Sequence, residues 1–233
     1  MKLEKRQKNL LIITSVVSLV AVALVYIFRK QIRKGAKYTY GKLTRFKTDL
    51  VKNVMSEYEK WDKGKIKEGD SRTMPALREY WKAVGWENRS DNTKINEAWS
   101  AAFISYVMGK SGAGDNFKKS ASHSTYIRDS IKKRKAGAGK FQGFKPHEVK
   151  VEVGDLIGKP RQTGITYDTT GGYKSHTDIV VEVTPTEAKM IGGNVGNSVT
   201  MKSVPLENGY IAKSQQKKSA NDKNYHVVIK KLM

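Results

Sequence analysis

The sequence predicts an α+β domain, with helices packed on an antiparallel sheet, behind a single membrane-spanning helix. Three observations carry this expectation. Residues 10–28 form an uncharged apolar run, apolar residues then recur at helical spacing as far as about residue 135, and from residue 149 onward the pattern alternates in short segments rich in Val and Ile. Helices first and strands afterwards favour α+β over an alternating α/β order.

The run 10–28 holds nothing more polar than Thr14, Ser15, Ser18 and Tyr26. As a helix it would be about 28 Å long, close to the thickness of a hydrocarbon core. Ala21-Val22-Ala23 offers a signal-peptide cleavage pattern, but the run continues beyond it to the basic stop Arg29-Lys30, so an anchor is the better reading. The basic N-terminus 1–9 precedes it. Residues 29–62 read as a basic, membrane-proximal amphipathic helix, with Leu43, Phe46, Leu50, Val54, Tyr58 and Trp61 as its stripe. The polar, glycine-containing segment 63–73 reads as a linker, and the folded domain is expected over 74–233.

Within that domain, 75–84 is a short helix with Leu77, Tyr80, Trp81 and Val84 on one side and Pro75 near its start. Residues 85–96 are a polar connection. The most apolar helix, 97–110, buries Trp99, Ala102, Phe103, Tyr106 and Val107, and Ser122 caps a third helix over 122–135. Gly137, Gly139 and Gly143 end helical order. Strands are expected at 149–157, 176–184, 188–192, 199–204 and 225–232.

Composition narrows the function. The 233 residues carry 44 Lys plus Arg against 22 Asp plus Glu, a net +22, and no Cys. Disulfides, cysteine-ligated metals and a thiol nucleophile are therefore excluded. Residues 1–47 hold 12 Lys or Arg against one Glu, a net +11, so about half of the excess flanks the apolar run. Such a collar suits anionic headgroups. Nucleic acid is a weaker explanation of the charge, because no helix-turn-helix, zinc-finger or RNA-binding pattern accompanies it. The four histidines lack the paired spacing of a zinc helix, so neither a metal nor a cofactor is expected.

Ser100 opens the apolar helix, where unpaired backbone N–H groups favour developing negative charge. His176 opens the strand His176-Thr177-Asp178-Ile179-Val180-Val181, and Asn194 follows Gly192-Gly193 after the next. If these two strands form a hairpin, Asn194 lies beside His176 and can orient its imidazole, giving a nucleophile, a base and an orienter. Each residue has a plainer role available: Ser100 as a helix cap, His176 as a structural histidine, Asn194 as a turn residue. Asp178 lies on the same strand face as His176, where it can tune that imidazole or, as the plainer reading, pair with a nearby basic residue. His123, at the start of the third helix, can cap it or bind within the cleft. Trp81, Trp86 and Trp99 read as core before they read as a sugar-stacking platform.

The segments Trp99-Ser100-Ala101-Ala102-Phe103, His176-Thr177-Asp178-Ile179-Val180 and Gly192-Gly193-Asn194 resemble the papain-like amidase and peptidase superfamily of NlpC-type and CHAP-type cell-wall hydrolases. Gly154-Asp155-Leu156 resembles its G-D-L strand. More closely, the chain resembles the branch called domain of unknown function 2272, in which Ser replaces the Cys nucleophile and an H-x-x-Y-I segment follows, here His123-Ser124-Thr125-Tyr126-Ile127. The resemblance covers about 74–232 and implies a papain-like fold with Ser100, His176 and Asn194 as catalytic residues; His123, Trp99 and Asp178 are the candidate substrate contacts. A serine cannot rest as a thiolate–imidazolium pair, so it needs a true general base during attack.

The resulting expectation is a membrane-anchored hydrolase of amide bonds in peptidoglycan, held in a bilayer by 10–28. The alternatives are a catalytically inactive descendant that binds wall peptides or a protein partner, and, more weakly, a binder of nucleic acid or anionic lipid. The flanking charges favour a cytoplasmic C-terminal domain, opposite to the wall. An N-terminus retained inside by its own four basic residues, or the internal membrane of a virion carrying a lysin among its assembly partners, would reconcile the two.

Overall fold

A computed structural model describes residues 44–232. The expected N-terminus 1–9, membrane-spanning run 10–28 and collar up to residue 43 lie outside the described residues. Among the described residues no helix is long and apolar enough to cross a membrane.

Among the described residues five α-helices and seven strands follow one another as a helical half and then a sheet. Helix α1 (Arg45–Lys60) starts at Thr44, whose hydroxyl accepts the Lys47 N–H, and its i, i+4 residues Phe46, Leu50 and Val54 are buried in the core. Just beyond it, Trp61 stacks on Trp99 with ring centroids 4.8 Å apart. Helix α2 (Met74–Lys82) has Pro75 in its first turn and buries Leu77, Tyr80 and Trp81. A buried polar brace ties α1 to α2: Trp61 Nε1 donates to Tyr80 Oη at 3.1 Å, and that hydroxyl donates to the fully buried Glu57 at 2.7 Å. Lys60 pairs with the same carboxylate at 2.7 Å. Without these partners a buried carboxylate would cost several kcal/mol.

The expected linker 63–73 is packed instead of free. Glu68 N–H donates to Asn197 O at 2.7 Å, Ser198 Oγ donates to Ile66 O at 2.6 Å, and Trp99 Nε1 donates to Glu68. Two of these bonds tie the segment's backbone to the β4–β5 loop, while Lys63, Lys65, Lys67, Ser71 and Arg72 keep their side chains exposed. The polar connection 85–96 contains one further short helix, α3 (Asp91–Asn96), capped by Ser90.

Helices α4 (Ser100–Lys110) and α5 (His123–Lys135) lie nearest the sheet. The strands are β1 (Phe141–Phe144), β2 (Leu156–Pro160), β3 (Ser175–Val183), β4 (Glu187–Gly192), β5 (Thr200–Glu207), β6 (Tyr210–Ile211) and β7 (Val227–Lys231). They form one antiparallel sheet in the order β1-β7-β2-β3-β4-β5-β6. The segment 149–155, expected as the start of a strand, is irregular, and the ladder begins at Leu156.

Side chains alternate along β3, because successive residues of a strand point to opposite faces. Ile179 joins the cluster built by the helices, whereas Val180 joins a second cluster with Ile157, Met190, Val204 and Val228. By the same alternation Thr177 belongs with Ile179, and His176 and Asp178 belong with Val180. Two differently equipped polar groups therefore come from three consecutive residues.

Candidate active site

Ser100 is the first residue of α4. Helical bonding starts with Phe103 N–H to Trp99 O at 2.9 Å, and no side chain caps the helix, so the N–H groups of Ser100, Ala101 and Ala102 have no intrahelical acceptor. Position and sequence agree here: a small hydroxyl residue ahead of Ala-Ala-Phe lets the helix start sit deep in the protein, with Ser100 only 4% exposed.

The Ser100 hydroxyl lies 2.7 Å from Nε2 of His123, the first residue of α5. The other ring nitrogen, Nδ1, faces Thr177 Oγ1 at 2.9 Å and the Tyr126 hydroxyl, and those two hydroxyls are 2.7 Å apart. Tyr126 is placed by helix spacing, three residues after His123 on the same face. With the His123 proton on Nδ1, Nε2 is a lone pair aimed at the serine O–H. Burial, then the neighbouring His176, and further Arg161 and Lys202, hold the His123 imidazole well below its ordinary pKa; only Asp178 opposes them. It is neutral at pH 7, and as a base it is weak.

His176, the expected base, is differently engaged. Its Nε2 bonds Asp178 Oδ1 at 2.9 Å, and Nη2 of Arg161 lies 3.1 Å from its Nδ1. A guanidinium can only donate, so Nδ1 accepts and the ring proton sits on Nε2, pointing at the carboxylate. Both nitrogens are thus occupied, and neither is bonded to Ser100. Lys202 Nζ reaches the other Asp178 oxygen at 2.8 Å. Burial alone would raise the Asp178 pKa, but the His176 N–H and the Lys202 ammonium outweigh it and hold the carboxyl below the usual range. The two imidazoles stand side by side with ring centroids 5.1 Å apart.

Three sequence expectations are corrected by this geometry. Asn194 does not orient His176; it occupies a left-handed turn with φ 53° and Asp178 makes the bond instead. The β3–β4 hairpin exists, but its ladder ends at Ile179 opposite Ile191, before His176 is reached. Trp99 is not a substrate platform, being fully buried between Trp61 and Tyr80. Asp178 is not a substrate contact, since it too is fully buried. The Gly192-Gly193 step has a packing cause: a Cβ at Gly192 would lie 2.1 Å from Asp178 Oδ1, and one at Gly193 would lie 2.6 Å from the Phe103 ring.

The His-x-x-Tyr spacing sets the His123 imidazole and the Tyr126 phenol on one helix face, but it carries no signal for the contact with Ser100, a residue the sequence left without this partner. Thr177 carried no signal either. Ser100 and His123 line a cleft of about 570 Å³ together with Arg161, Gln162, Lys174 and Ala98. Among the described residues no group of three or more His, Asp or Glu side chains is arranged to hold a metal ion.

Residues 76–231 match the family described as an uncharacterized protein conserved in bacteria, domain of unknown function 2272. The chain belongs to this family. The match contains Ser100, His123, Arg161, His176 and Asp178, and it begins within α2, so α1 lies ahead of it although its apolar face completes the core. No curated protein and no solved structure matches the chain.

Proposed function

We propose that the protein is a serine-dependent amide hydrolase of papain-like descent, acting on peptidoglycan peptides and tethered to a membrane by 10–28. One observation carries the reading: the Ser100 hydroxyl faces His123 Nε2 at 2.7 Å, at an uncapped helix start that lines a cleft. In this mechanism Ser100 Oγ attacks the amide carbon while His123 Nε2 takes its proton. The N–H groups of the first α4 turn stabilise the oxyanion. The tetrahedral adduct collapses as His123 returns the proton to the leaving amine, and water, activated by the same imidazole, hydrolyses the ester and restores the serine. Thr177 and Tyr126 hold the ring. His176, paired with Asp178, contributes field and packing, not proton transfer.

Release of soluble peptides from purified peptidoglycan by the full chain in detergent tests this. His123→Ala should lower the rate by about 10²–10⁴-fold, the range of a lost general base, and Ser100→Ala by about 10⁶-fold, the scale of a lost serine nucleophile. Equal activity in wild type and both variants would overturn the assignment.

A second reading is supported by the weak basicity of His123 and the 4% exposure of Ser100: a non-catalytic descendant that holds wall peptides in the same cleft. Saturable binding without turnover, in wild type as in Ser100→Ala, selects it.

A further inference from the structure

Seven arginines lie among the described residues, and six have conventional partners. Arg45, Arg72 and Arg78 pair with Asp49, Asp70 and Asp91. Arg128 donates to the carbonyls of Ser124 and Thr170, and Arg89 and Arg134 lie over the rings of Trp86 and Phe144. Arg161 is the exception. Among the described residues no carboxylate lies within 4.0 Å of it, and its one side-chain bond runs to the neutral Nδ1 of His176.

Its setting is built. Arg161 follows directly on the end of β2, and its backbone N–H is fixed to Lys174 O at 2.8 Å. The residue is exposed and lines the Ser100 cleft, and Lys174 adds a second cation to the lining, which has no Asp or Glu. Gln162 stands between them in sequence and holds Lys174 N–H with its side-chain carbonyl at 2.9 Å.

We propose that Arg161 is a specificity-determining residue that binds a free carboxylate on the cleft's ligand, next to the bond presented to Ser100. The chemistry favours exchange of the present partner: a guanidinium offers five donors in a fork that fits a carboxylate with two parallel bonds, stronger than one bond to a neutral nitrogen. A carboxylate there also neutralises one of the cations that depress His123, so an acidic ligand strengthens the base it needs. The groups facing His123 are Ser100 on α4, Tyr126 on α5, His176, Thr177 and Asp178 on β3, Arg161 beyond β2 and Lys202 on β5. The inference rests on the hydrolase reading only for which bond is cut; recognition of the carboxylate stands without it.

The test uses soluble peptides released from peptidoglycan by a glycosidase, and the same peptides with their carboxyls converted to amides. Binding is measured calorimetrically to the full-length Ser100→Ala chain, and turnover with wild type. Because a net charge of +22 attracts any anion, both are run near 0.3 M salt, where the screening length falls to about 6 Å. The acidic peptides should bind at least tenfold tighter than the amidated ones, Arg161→Met should abolish that preference, and Arg161→Lys should keep part of it. Equal binding of both forms, or a preference that survives Arg161→Met, overturns the proposal. If the preference depends on Arg161 but nothing is cleaved, the proposal stands and the hydrolase reading falls. If both forms are cleaved alike and Arg161→Met is indifferent, the reverse holds.

Discussion

Two histidines stand 5.1 Å apart in this protein and are governed by opposite kinds of neighbour. His123 is set among hydroxyls, those of Ser100, Thr177 and Tyr126, and no carboxylate bonds it. His176 is set among charges, with Asp178 on one nitrogen, Arg161 on the other and Lys202 behind the carboxylate. Adjacent residues of β3 supply both environments, Thr177 to the first and His176 with Asp178 to the second. The comparison teaches that proximity to a nucleophile does not make a base. The histidine with a charged orienter has its lone pair covered, while the one with neutral orienters has its lone pair directed at the serine.

The largest stability difference expected from this contrast lies in the charged set. Asp178→Ala leaves Lys202 and the His176 N–H without their buried partner, and removing one member of a buried ionic group costs about 3–5 kcal/mol. Thr177→Val, on the hydroxyl side, should cost about 1 kcal/mol, because Tyr126 still meets His123. Denaturant unfolding of the two full-length variants compares them directly, and a larger loss for Thr177→Val would reverse the assignment of roles.

The same two kinds of polar burial recur away from the cleft and respond oppositely to pH. His226 repeats the neutral kind: it bonds the Tyr173 hydroxyl at 2.9 Å, and burial, its largest influence, lowers its pKa from 6.5 to about 4. The unfolded chain takes up that proton below pH 6.5 and the folded one does not, so stability present above pH 6.5 is lost as pH falls toward 4. The loss is roughly 3 kcal/mol. Asp155 repeats the charged kind: it pairs with Lys230 at 2.7 Å, and burial raises its pKa from 3.8 to about 6. Its contribution is full below pH 3.8 and is lost as pH rises through 6, by a similar amount. Between pH 4 and 6 the two slopes oppose each other. Asp155→Asn should therefore steepen the acid loss of stability and His226→Gln should flatten it. Parallel pH profiles for wild type and both variants would show that neither group titrates as its surroundings dictate.

Much of this was legible in the sequence, and the failures have physical causes. The helix starts near Ser100 and His123 and the strands β3 and β4 fall within a few residues of the periodicity, because each carries a long apolar pattern. Strand β1 was hidden: Phe141-Gln142-Gly143-Phe144 is short, bears a glycine and follows two others, yet its Phe141 packs on Phe46 at 5.6 Å and Phe117 at 5.5 Å. The ties of 63–73 to the rest of the fold were not visible, because local composition does not reveal the long-range hydrogen bonds of Glu68 and Ile66. The histidine that contacts Ser100 differs from the expected one for a similar reason. The pairing of Ser100 with His176 rests on residue order and on resemblance, whereas the observed contact is between the first residues of two helices, α4 and α5, and helix packing is not encoded by spacing within either.

The smallest effect is the one that bears most directly on His123. If its Nδ1 proton is held by hydroxyls, removing one of them should disturb the tautomer without disturbing substrate binding. Thr177→Val keeps the side-chain shape and removes the oxygen 2.9 Å from Nδ1, leaving Tyr126 as the remaining partner. The expected outcome is a fall in kcat of about tenfold, equivalent to 1.4 kcal/mol, with KM unchanged. Thr177→Ser, which restores an oxygen, should recover most of it. A merely structural threonine would give the opposite result, since valine fills the space better than serine. If serine is the worse replacement, the hydroxyl set is packing, and the orientation of His123 must come from the imidazole beside it.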